Sequence, residues 1–305
     1  MIETRACQRF DERWLTVAGL RIHCLVAGRT GPPVLLLHGS GFDAAGISLA
    51  PAMHSLATNC RVYAPDLPGF GDSDPMPDRW GFSKCSAFLS PLLAALDLER
   101  ASLVGLSMGG GIALGFALMA PEKVDRLVLI DSACLSEAIP GGWRTWFAVH
   151  MPGWSALQWR ILAGSRNATR WVLRRATPRN PEGMTPERLD RVMRHLRRPD
   201  AGVAFRKWER REVGWRGVRT SYVERLPELS VATLIVHGAD DPLLPVAIAE
   251  RAHHLIPHSR LEVIPDCGHL APLDQPEAVS RALSAFLQPT EPILGAKTKA
   301  AGGGA

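Results

Sequence analysis

The stretch that decides the fold is ASLVGLSMGG, residues 101–110 of this 305-residue chain. Its first half predicts a β-strand, and a Gly- and Ala-rich helix is predicted directly after it, over residues 108–119. Between them, Gly105, Ser107 and Gly109 form the pattern G-x-S-x-G. A serine in this place occupies a tight, strained turn that projects its hydroxyl above the sheet, and the flanking glycines let strand and helix pass close together. Ser107 is therefore a candidate nucleophile, and the alternative is a Gly-rich turn with an idle serine.

Strands and helices alternate on both sides of this stretch. A continuous apolar run such as VLLL, residues 34–37, is typical of a parallel strand buried on both faces. The pattern predicts a hairpin over 12–27, strands at 34–37, 61–64, 101–105, 127–131, 233–237 and 261–264, and helices at 83–96, 108–119, 245–256 and 275–287. We therefore expect an α/β fold with a mostly parallel central sheet flanked by helices.

One segment, residues 140–225, differs from the rest in composition. It holds 19 Lys and Arg against 7 Asp and Glu, a net charge of +12, whereas the remainder holds 16 basic and 23 acidic residues, a net charge of −7. Seven of the nine tryptophans also lie in this segment. We predict an inserted, mainly helical cap over 136–228, a core formed by 1–135 and 229–288, and a flexible tail over 289–305.

A serine nucleophile needs a base within hydrogen-bond reach and an acid that orients the base. His269 follows the last predicted strand, so it is expected at the same sheet edge as Ser107. Three acids also follow strands at that edge, namely Asp240 and Asp241 in one loop and Asp131 in another. Asp241 is the preferred candidate of the three.

Acyl transfer also needs hydrogen-bond donors for the tetrahedral intermediate. One donor is expected to be the backbone N–H of Met108, directly after the nucleophile. The second is expected from Ser40 in the loop HGSG, residues 38–41, where Gly39 and Gly41 let the backbone approach the reacting carbonyl. A Gly-rich turn without this role is the alternative.

Five motifs taken together resemble the α/β-hydrolase family, with Ser, Asp and His in the family's own order. They are HGSG at 38–41, DLPGFGDS at 66–73, GLSMGG at 105–110, GADD at 238–241 and GHLAPLDQPE at 268–277. The resemblance covers about 28–131 and 229–288, and it implies that Ser107 is the nucleophile, His269 the base and Asp241 the acid. It also implies that the insert is a lid over the active site.

Two groups within that family are similar to this chain. HGSG and SMGG resemble the meta-cleavage-product hydrolases, which split carbon–carbon bonds. Those enzymes usually carry Asn where this chain has Leu106, Pro where it has Phe42, and often Trp where it has Leu270. The run after His269 looks more like esterases and lactonases. A serine nucleophile argues against the dehalogenases and epoxide hydrolases of the same fold.

The resulting expectation is a serine hydrolase that cleaves a carboxylic ester, lactone or thioester through an acyl-enzyme, with no cofactor. A carbon–carbon bond hydrolase and a non-catalytic, ligand-binding member of the fold are the alternatives. The cap tryptophans are expected either to form an apolar acyl pocket or to serve ordinary helix packing. The candidate substrate-binding residues are Gly39, Gly41, Phe42, Leu270, Trp143 and Trp146.

The cap also carries closely spaced arginines. They are Arg188, Arg191, Arg194, Arg197 and Arg198. Such a stripe predicts contact with an acidic partner or an anionic substrate, and the alternative is a solvated face. Nucleic-acid binding is not expected, because no recognised motif accompanies the charge.

Several classes of protein are excluded by simpler patterns. No pair of histidines has the H-E-x-x-H type of metal-ligand spacing, so no metal is expected. No apolar run approaches the roughly 18–20 residues of a membrane helix, so stable membrane insertion is not expected. The six cysteines are scattered and no signal-peptide pattern opens the chain, which favours a cytoplasmic protein with reduced thiols.

Overall fold

The computed structural model describes residues 10–76, 80–138, 141–177, 180 and 183–287. The strands are β1 (Asp11–Val17), β2 (Leu20–Ala27), β3 (Pro33–Leu37), β4 (Arg61–Pro65), β5 (Ala101–Leu106), β6 (Val124–Ile130), β7 (Thr233–Gly238) and β8 (Arg260–Ile264). They form one sheet in the order β1-β2-β4-β3-β5-β6-β7-β8. β1 and β2 pair antiparallel with their neighbours, and β3 to β8 are parallel to one another. The predicted α/β fold with a mostly parallel sheet is thereby confirmed.

Eleven α-helices occur in the described part of the chain. They are α1 (Ala50–Leu56), α2 (Phe82–Ala95), α3 (Met108–Met119), α4 (Trp143–His150), α5 (Trp154–Gly164), α6 (Arg166–Ala176), α7 (Pro186–Leu196), α8 (Val203–Glu212), α9 (Val246–Leu255), α10 (Ala271–Asp274) and α11 (Pro276–Leu287). The predicted helices agree with α2, α3, α9 and α11 to within one residue at each end. α1 and α10 have no counterpart among the predicted helices.

The sheet separates two apolar clusters because alternate side chains of a strand point to opposite faces. In β3, Leu35 and Leu37 belong to one cluster, which contains buried side chains of α2, α3 and α9. Val34 and Leu36 belong to the other cluster, which contains buried side chains of α1 and α11. Covering both faces of the parallel strands leaves their carboxyl ends free to carry loops.

The segment predicted as a cap holds α4 to α8, between β6 and β7. A third apolar cluster joins its helices to the core. This cluster contains Leu173 of α6 and Leu189 of α7 together with Ile47 and Leu273 of the core. The helices of the insert therefore pack on the body through a buried apolar contact.

None of the helices described by the structure is both long and apolar enough to span a bilayer. The tail predicted over 289–305 lies outside the described residues.

Candidate active site

The turn between β5 and α3 holds Ser107 in a backbone conformation that L residues rarely adopt. Its φ is +52° and its ψ −113°, a strained geometry that costs on the order of 1–3 kcal/mol and persists only where the surroundings enforce it. Gly105 packs directly against the backbone of Gly109, and Gly109 packs against the carbonyl oxygens of Leu37 and His38. The close packing of strand against helix therefore holds the strained turn in place.

Replacing Gly109 with alanine is expected to lower the free energy of unfolding by about 3 kcal/mol or more. The added Cβ would overlap two backbone carbonyl oxygens, which cannot swing aside as a flexible side chain can. Urea unfolding measures the change. The matched control is Gly164→Ala at the end of α5, where no described atom lies within 4 Å of the added Cβ. We expect that control to match or exceed the stability of the wild type, and a Gly109→Ala protein of unchanged stability would contradict the packing.

Ser107, His269 and Asp241 form one hydrogen-bonded chain. Nε2 of His269 lies 3.0 Å from Oγ of Ser107, and its Nδ1 lies 2.7 Å from Oδ2 of Asp241. Oδ1 of Asp241 accepts the backbone N–H groups of Leu243 and Leu244 at 2.7 and 3.0 Å, which fixes the carboxylate. With Nδ1 donating to the carboxylate, Nε2 is free to accept the serine proton. The arrangement can thus activate a serine hydroxyl.

The electrostatics of this chain favour a charged histidine beside a charged acid. Burial alone would lower the pKa of His269, but its hydrogen bond to Asp241 and the negative charge of that group outweigh burial and raise the pKa. Burial would raise the pKa of Asp241, yet the hydrogen bond and charge of His269 lower it. Asp241 is therefore ionised at neutral pH and stabilises the imidazolium that proton transfer creates.

Asp131, another of the three candidate acids, serves as a bridge between two loops. It is fully buried, and its two oxygens accept the backbone N–H groups of Gly238 at 2.9 Å and Ala271 at 3.3 Å. Burial raises the pKa of Asp131 to about 8, so its carboxyl is largely neutral at pH 7. It joins the loop that carries the acid to the segment that follows the histidine.

The remaining candidate, Asp240, lies at the surface. Its side chain is exposed and its backbone N–H donates to the carbonyl of Cys267 at 2.9 Å. Of the three candidates, Asp241 is the one whose carboxylate meets the histidine.

The loop after β3 is held by its own buried polar side chains. Oδ2 of Asp43 accepts the N–H of Gly39 at 2.8 Å. His38 donates from Nδ1 to the carbonyl of Gly39 at 2.7 Å and accepts the N–H of Leu67 on Nε2 at 3.0 Å. Because Asp43 engages the N–H of Gly39, the next N–H in the loop, that of Ser40, is the better candidate for an oxyanion donor.

Met108 supplies the other candidate donor, since it is the first residue of α3. The first N–H groups of a helix have no partner inside the helix, and the helix dipole places partial positive charge there. Gly39 also lies close to the nucleophile. A Cβ atom added to Gly39 would be in ordinary van der Waals contact with the Cβ of Ser107. Both predicted donors thus belong to segments that meet at the serine.

The cap is tied by hydrogen bonds to the loop that carries the histidine. The backbone N–H of Asn180 donates to Oδ1 of Asp274 at 2.7 Å, and Oδ2 of Asp274 accepts the N–H of Gly268 at 2.7 Å. The side-chain amide of Asn180 also donates to the carbonyl of Leu273 at 2.9 Å. Sequence reasoning missed both Asp274 and Asn180, as it missed Asp43, because each acts through partners that only the fold brings near.

A small, partly open cleft adjoins the loop after β3. Its lining includes Gly41 and Phe42 from this loop and Trp159 and Phe205 from the cap. Phe42 also packs, together with Leu270, against the apolar cluster beneath the cap. The cleft therefore combines aromatic side chains with the polar and charged side chains of His195, Arg198 and Asp200.

The two tryptophans predicted to bind substrate, Trp143 and Trp146, make contacts of another kind. Trp143 is 67% exposed. Trp146 stacks on His150 with ring centroids 4.8 Å apart and meets Trp215 edge-on at 4.7 Å. Within the described residues, the tryptophan that lines the cleft is Trp159.

The arginines of the predicted basic stripe mostly donate to carbonyl groups. Those with such bonds are Arg188, Arg191, Arg197 and Arg198. Arg191 reaches across to the carbonyl of Gly46 at 2.9 Å, and Arg198 donates to the carbonyl of Gly71 and pairs with Asp72 at 3.3 Å. These contacts join α7 and the residues after it to the core.

Two groups of side chains in the described part of the chain have the atoms to bind a metal ion. They are His23 with Asp66 and Asp72, and Asp131 with His237 and Asp241. In both groups the buried carboxylates already accept hydrogen bonds from the protein. Within the second group, Oδ2 of Asp241 is occupied by the histidine of the triad.

Comparison with known proteins bears on the family and the fold of the chain. A family model described as "Alpha/beta hydrolase family" matches residues 34–282. The chain is 30% identical to 2-hydroxy-6-oxo-2,4-heptadienoate hydrolase of Pseudomonas putida, over 84% of this chain and 89% of that protein. It is similar to the structure of a meta-cleavage product hydrolase from Pseudomonas fluorescens, with a TM-score of 0.74, 25% identity and coverage of 90% and 96% of the two chains. A thermophilic esterase from Thermogutta terrifontis gives a TM-score of 0.70 at 28% identity, with coverage of 91% and 98%.

Proposed function

The chain belongs to the alpha/beta hydrolase family, and we propose that it is a serine hydrolase that cleaves carboxylic esters, or the related lactones and thioesters, through an acyl-enzyme. The observation that carries this proposal is the chain of hydrogen bonds from Ser107 through His269 to Asp241, at 3.0 and 2.7 Å. These distances are those of a serine poised to lose its proton to a base held by an acid.

The reaction begins with attack of Ser107 Oγ on the carbonyl carbon while Nε2 of His269 takes the hydroxyl proton. The N–H groups of Met108 and Ser40 stabilise the negative oxygen of the tetrahedral intermediate. His269 then passes its proton to the leaving alcohol, which departs and leaves an ester on Ser107. Water, deprotonated by the same histidine, attacks this ester. The bond from Ser107 Oγ to the acyl carbon then breaks, the histidine returns the proton to Oγ, and the acid is released.

The surroundings of the triad favour a neutral, apolar acyl or alcohol group. Phe42 and Leu270 flank the site and pack with Trp159 against an apolar cluster. The guanidinium of Arg198, which lines the adjoining cleft, is paired with Asp72 at 3.3 Å and with Asp200 at 3.2 Å. Because its charge is already compensated, a negatively charged substrate gains little there.

Carbon–carbon bond hydrolysis is the second candidate. It is favoured by the 30% identity to the dienoate hydrolase of Pseudomonas putida and by the similarity to the meta-cleavage product hydrolase of Pseudomonas fluorescens. The same serine, histidine and acid would serve that reaction, so the choice depends on the substrate pocket.

A substrate panel distinguishes the candidates. Purified protein is assayed with p-nitrophenyl esters of short and medium acyl chains, an aliphatic lactone, an acyl thioester and one vinylogous diketone. We expect the best ester to exceed the diketone in kcat/KM by about a hundredfold. Faster turnover of the diketone would establish the carbon–carbon hydrolase instead, and binding without turnover of any compound would establish a ligand-binding protein.

The pH dependence of kcat/KM follows from the direction of the histidine pKa shift. His269 must be neutral to accept the serine proton, and its pKa is raised. Activity on a neutral ester is therefore expected to fall as the pH is lowered, along a single limb whose apparent pKa lies above the value of about 6.5 for a free imidazole. Initial rates measured at low substrate concentration give this limb, and an apparent pKa below that of free imidazole would contradict the environment described for His269.

A further inference from the structure

The outer face of the cap exposes an unusual amount of apolar surface. Eleven large hydrophobic side chains are exposed in the described part of the chain, and seven of them lie between residues 143 and 215. They are Trp143, Phe147, Trp154, Leu157, Ile161, Trp171 and Trp215. Single exposed hydrophobic residues are normal, but a concentration of this kind in one substructure marks an interaction surface.

Helix α5 shows why this face has no role in folding. Trp159, Leu162 and Ala163 point to one side and pack against the cluster beneath the cap. Trp154, Leu157 and Ile161 follow a spacing of three and four residues, which places them together on the opposite side, where they are exposed. The inner face accounts for the attachment of the helix, so the outer apolar face is left without a partner in the fold.

The two helices in contact with α5 also expose large apolar side chains. α5 packs against both α4 and α6. Trp143 and Phe147 are exposed on α4, and Trp171 is exposed on α6, two residues from Leu173, which points into the buried cluster. We call the exposed residues Trp143, Phe147, Trp154, Leu157, Ile161 and Trp171 the α4–α6 face.

The helices that carry the α4–α6 face hold charged residues of a single sign, and one of these, Arg166, pairs with Asp190 of α7. Residues 141–177 contain six arginines and neither Asp nor Glu. Most of these arginines are exposed, and Arg175 lies over the ring of Trp171 with its guanidinium carbon 4.1 Å from the ring centroid. An arginine next to an exposed tryptophan combines attraction to negative charge with an aromatic ring suited to a water–lipid boundary.

We propose that the α4–α6 face docks the protein onto the surface of a lipid bilayer that contains anionic headgroups. The apolar side chains enter the boundary between headgroups and acyl chains, and the arginines bind the phosphates above them. A second copy of this chain is a poorer occupant, because two such faces would bring together two arginine-rich segments that contain neither Asp nor Glu. The proposal concerns attachment at the surface and does not depend on the substrate of the active site.

Vesicle flotation tests the proposal with the full-length chain. We expect the protein to float with vesicles of phosphatidylcholine containing about a third phosphatidylglycerol, to remain at the bottom with phosphatidylcholine alone, and to be released from the anionic vesicles by high salt. Failure to float with the anionic vesicles, or equal flotation with both kinds, would overturn the proposal.

Two variants test the two halves of the face. One replaces three apolar residues of α5, and the other replaces three arginines of α6. The variants are Trp154→Gln with Leu157→Gln and Ile161→Gln, and Arg170→Gln with Arg174→Gln and Arg175→Gln. Each is expected to reduce the vesicle-bound fraction by about tenfold.

Matched controls replace equally exposed residues on the core. They are Trp14→Gln with Met119→Gln and Val263→Gln, and Arg29→Gln with Arg260→Gln and Arg281→Gln. The controls are expected to float like the wild type. Circular dichroism and hydrolysis of a water-soluble ester establish that every variant is folded. Equal losses in the cap variants and the controls would overturn the proposal. So would a wild-type dimer that both cap variants convert to a monomer, since it would assign the face to a second copy of the chain.

Discussion

Ser107→Ala is expected to lower kcat for a p-nitrophenyl ester by about 10⁶-fold. The Oγ of Ser107 is the atom that forms the acyl-enzyme, and Nε2 of His269 lies 3.0 Å from it. Ser107 has a φ of +52°, and alanine is disfavoured at this φ about as much as serine. The strain in the turn is therefore unchanged, and the protein should fold with wild-type stability. The loss therefore reports the chemistry alone, and the remaining rate comes from the oxyanion donors and the pocket.

The measurement has two parts. Ester hydrolysis gives the rate, and labelling with a fluorophosphonate followed by mass spectrometry identifies the modified residue. The control is Ser55→Ala in α1, a half-buried serine on the far face of the sheet, which should keep wild-type activity and labelling. Ester turnover within about tenfold of the wild type in Ser107→Ala would show that another group is the nucleophile.

The central strands of the sheet could be predicted from the sequence because they are short, mostly apolar runs bounded by turn residues. β5 and β7 are buried along their whole length, and strands of this kind stand out from the polar loops around them. α1 could not be predicted in the same way, since it has seven residues with a proline near its start. Two helical turns are too few for the period of an amphipathic helix to be recognised.

The residues of the candidate site likewise differ in how well the sequence predicts them. Ser107 and His269 follow strands at one sheet edge, so the order of the motifs was enough to predict that they meet. The choice among Asp131, Asp240 and Asp241 required the fold, because all three lie after strands at that edge. Asp131 differs from Asp241 in its partners, because its oxygens accept the N–H groups of Gly238 and Ala271. These partners lie 107 and 140 residues further along the chain, so no local sequence pattern predicts the contacts.

Aromatic positions in the cap were the hardest to interpret. Trp143, Trp146 and Trp159 are all tryptophans in helices, and their spacing alone does not tell an inner face from an outer one. The difference arises from tertiary packing, which places Trp159 against the buried cluster and leaves Trp143 in solvent. Composition predicted a separate substructure, while the direction of each side chain depends on how the helices lie on the core.

Asp241→Asn is expected to lower kcat by about 10⁴-fold and to move the acid limb of kcat/KM to lower pH. Oδ1 of Asp241 accepts the N–H groups of Leu243 and Leu244, so the amide oxygen of an asparagine must keep that position. The amide NH₂ then replaces Oδ2 and faces Nδ1 of His269 as a donor. The imidazole has to accept there and carry its hydrogen on Nε2, which is the wrong tautomer for taking a proton from Ser107.

The other two acids provide matched comparisons for this substitution. Asp240→Asn, at the surface, should leave kcat unchanged. Asp131→Asn should lower the free energy of unfolding by about 1–3 kcal/mol, because the NH₂ group of the asparagine would face one of the two buried N–H donors that Asp131 now accepts. Its effect on kcat should stay within about a hundredfold, since burial raises the pKa of Asp131 to about 8 and little negative charge is removed at neutral pH. A larger loss of kcat in Asp131→Asn than in Asp241→Asn would place the catalytic acid after β6 instead, and the shift in the acid limb would then follow Asp131.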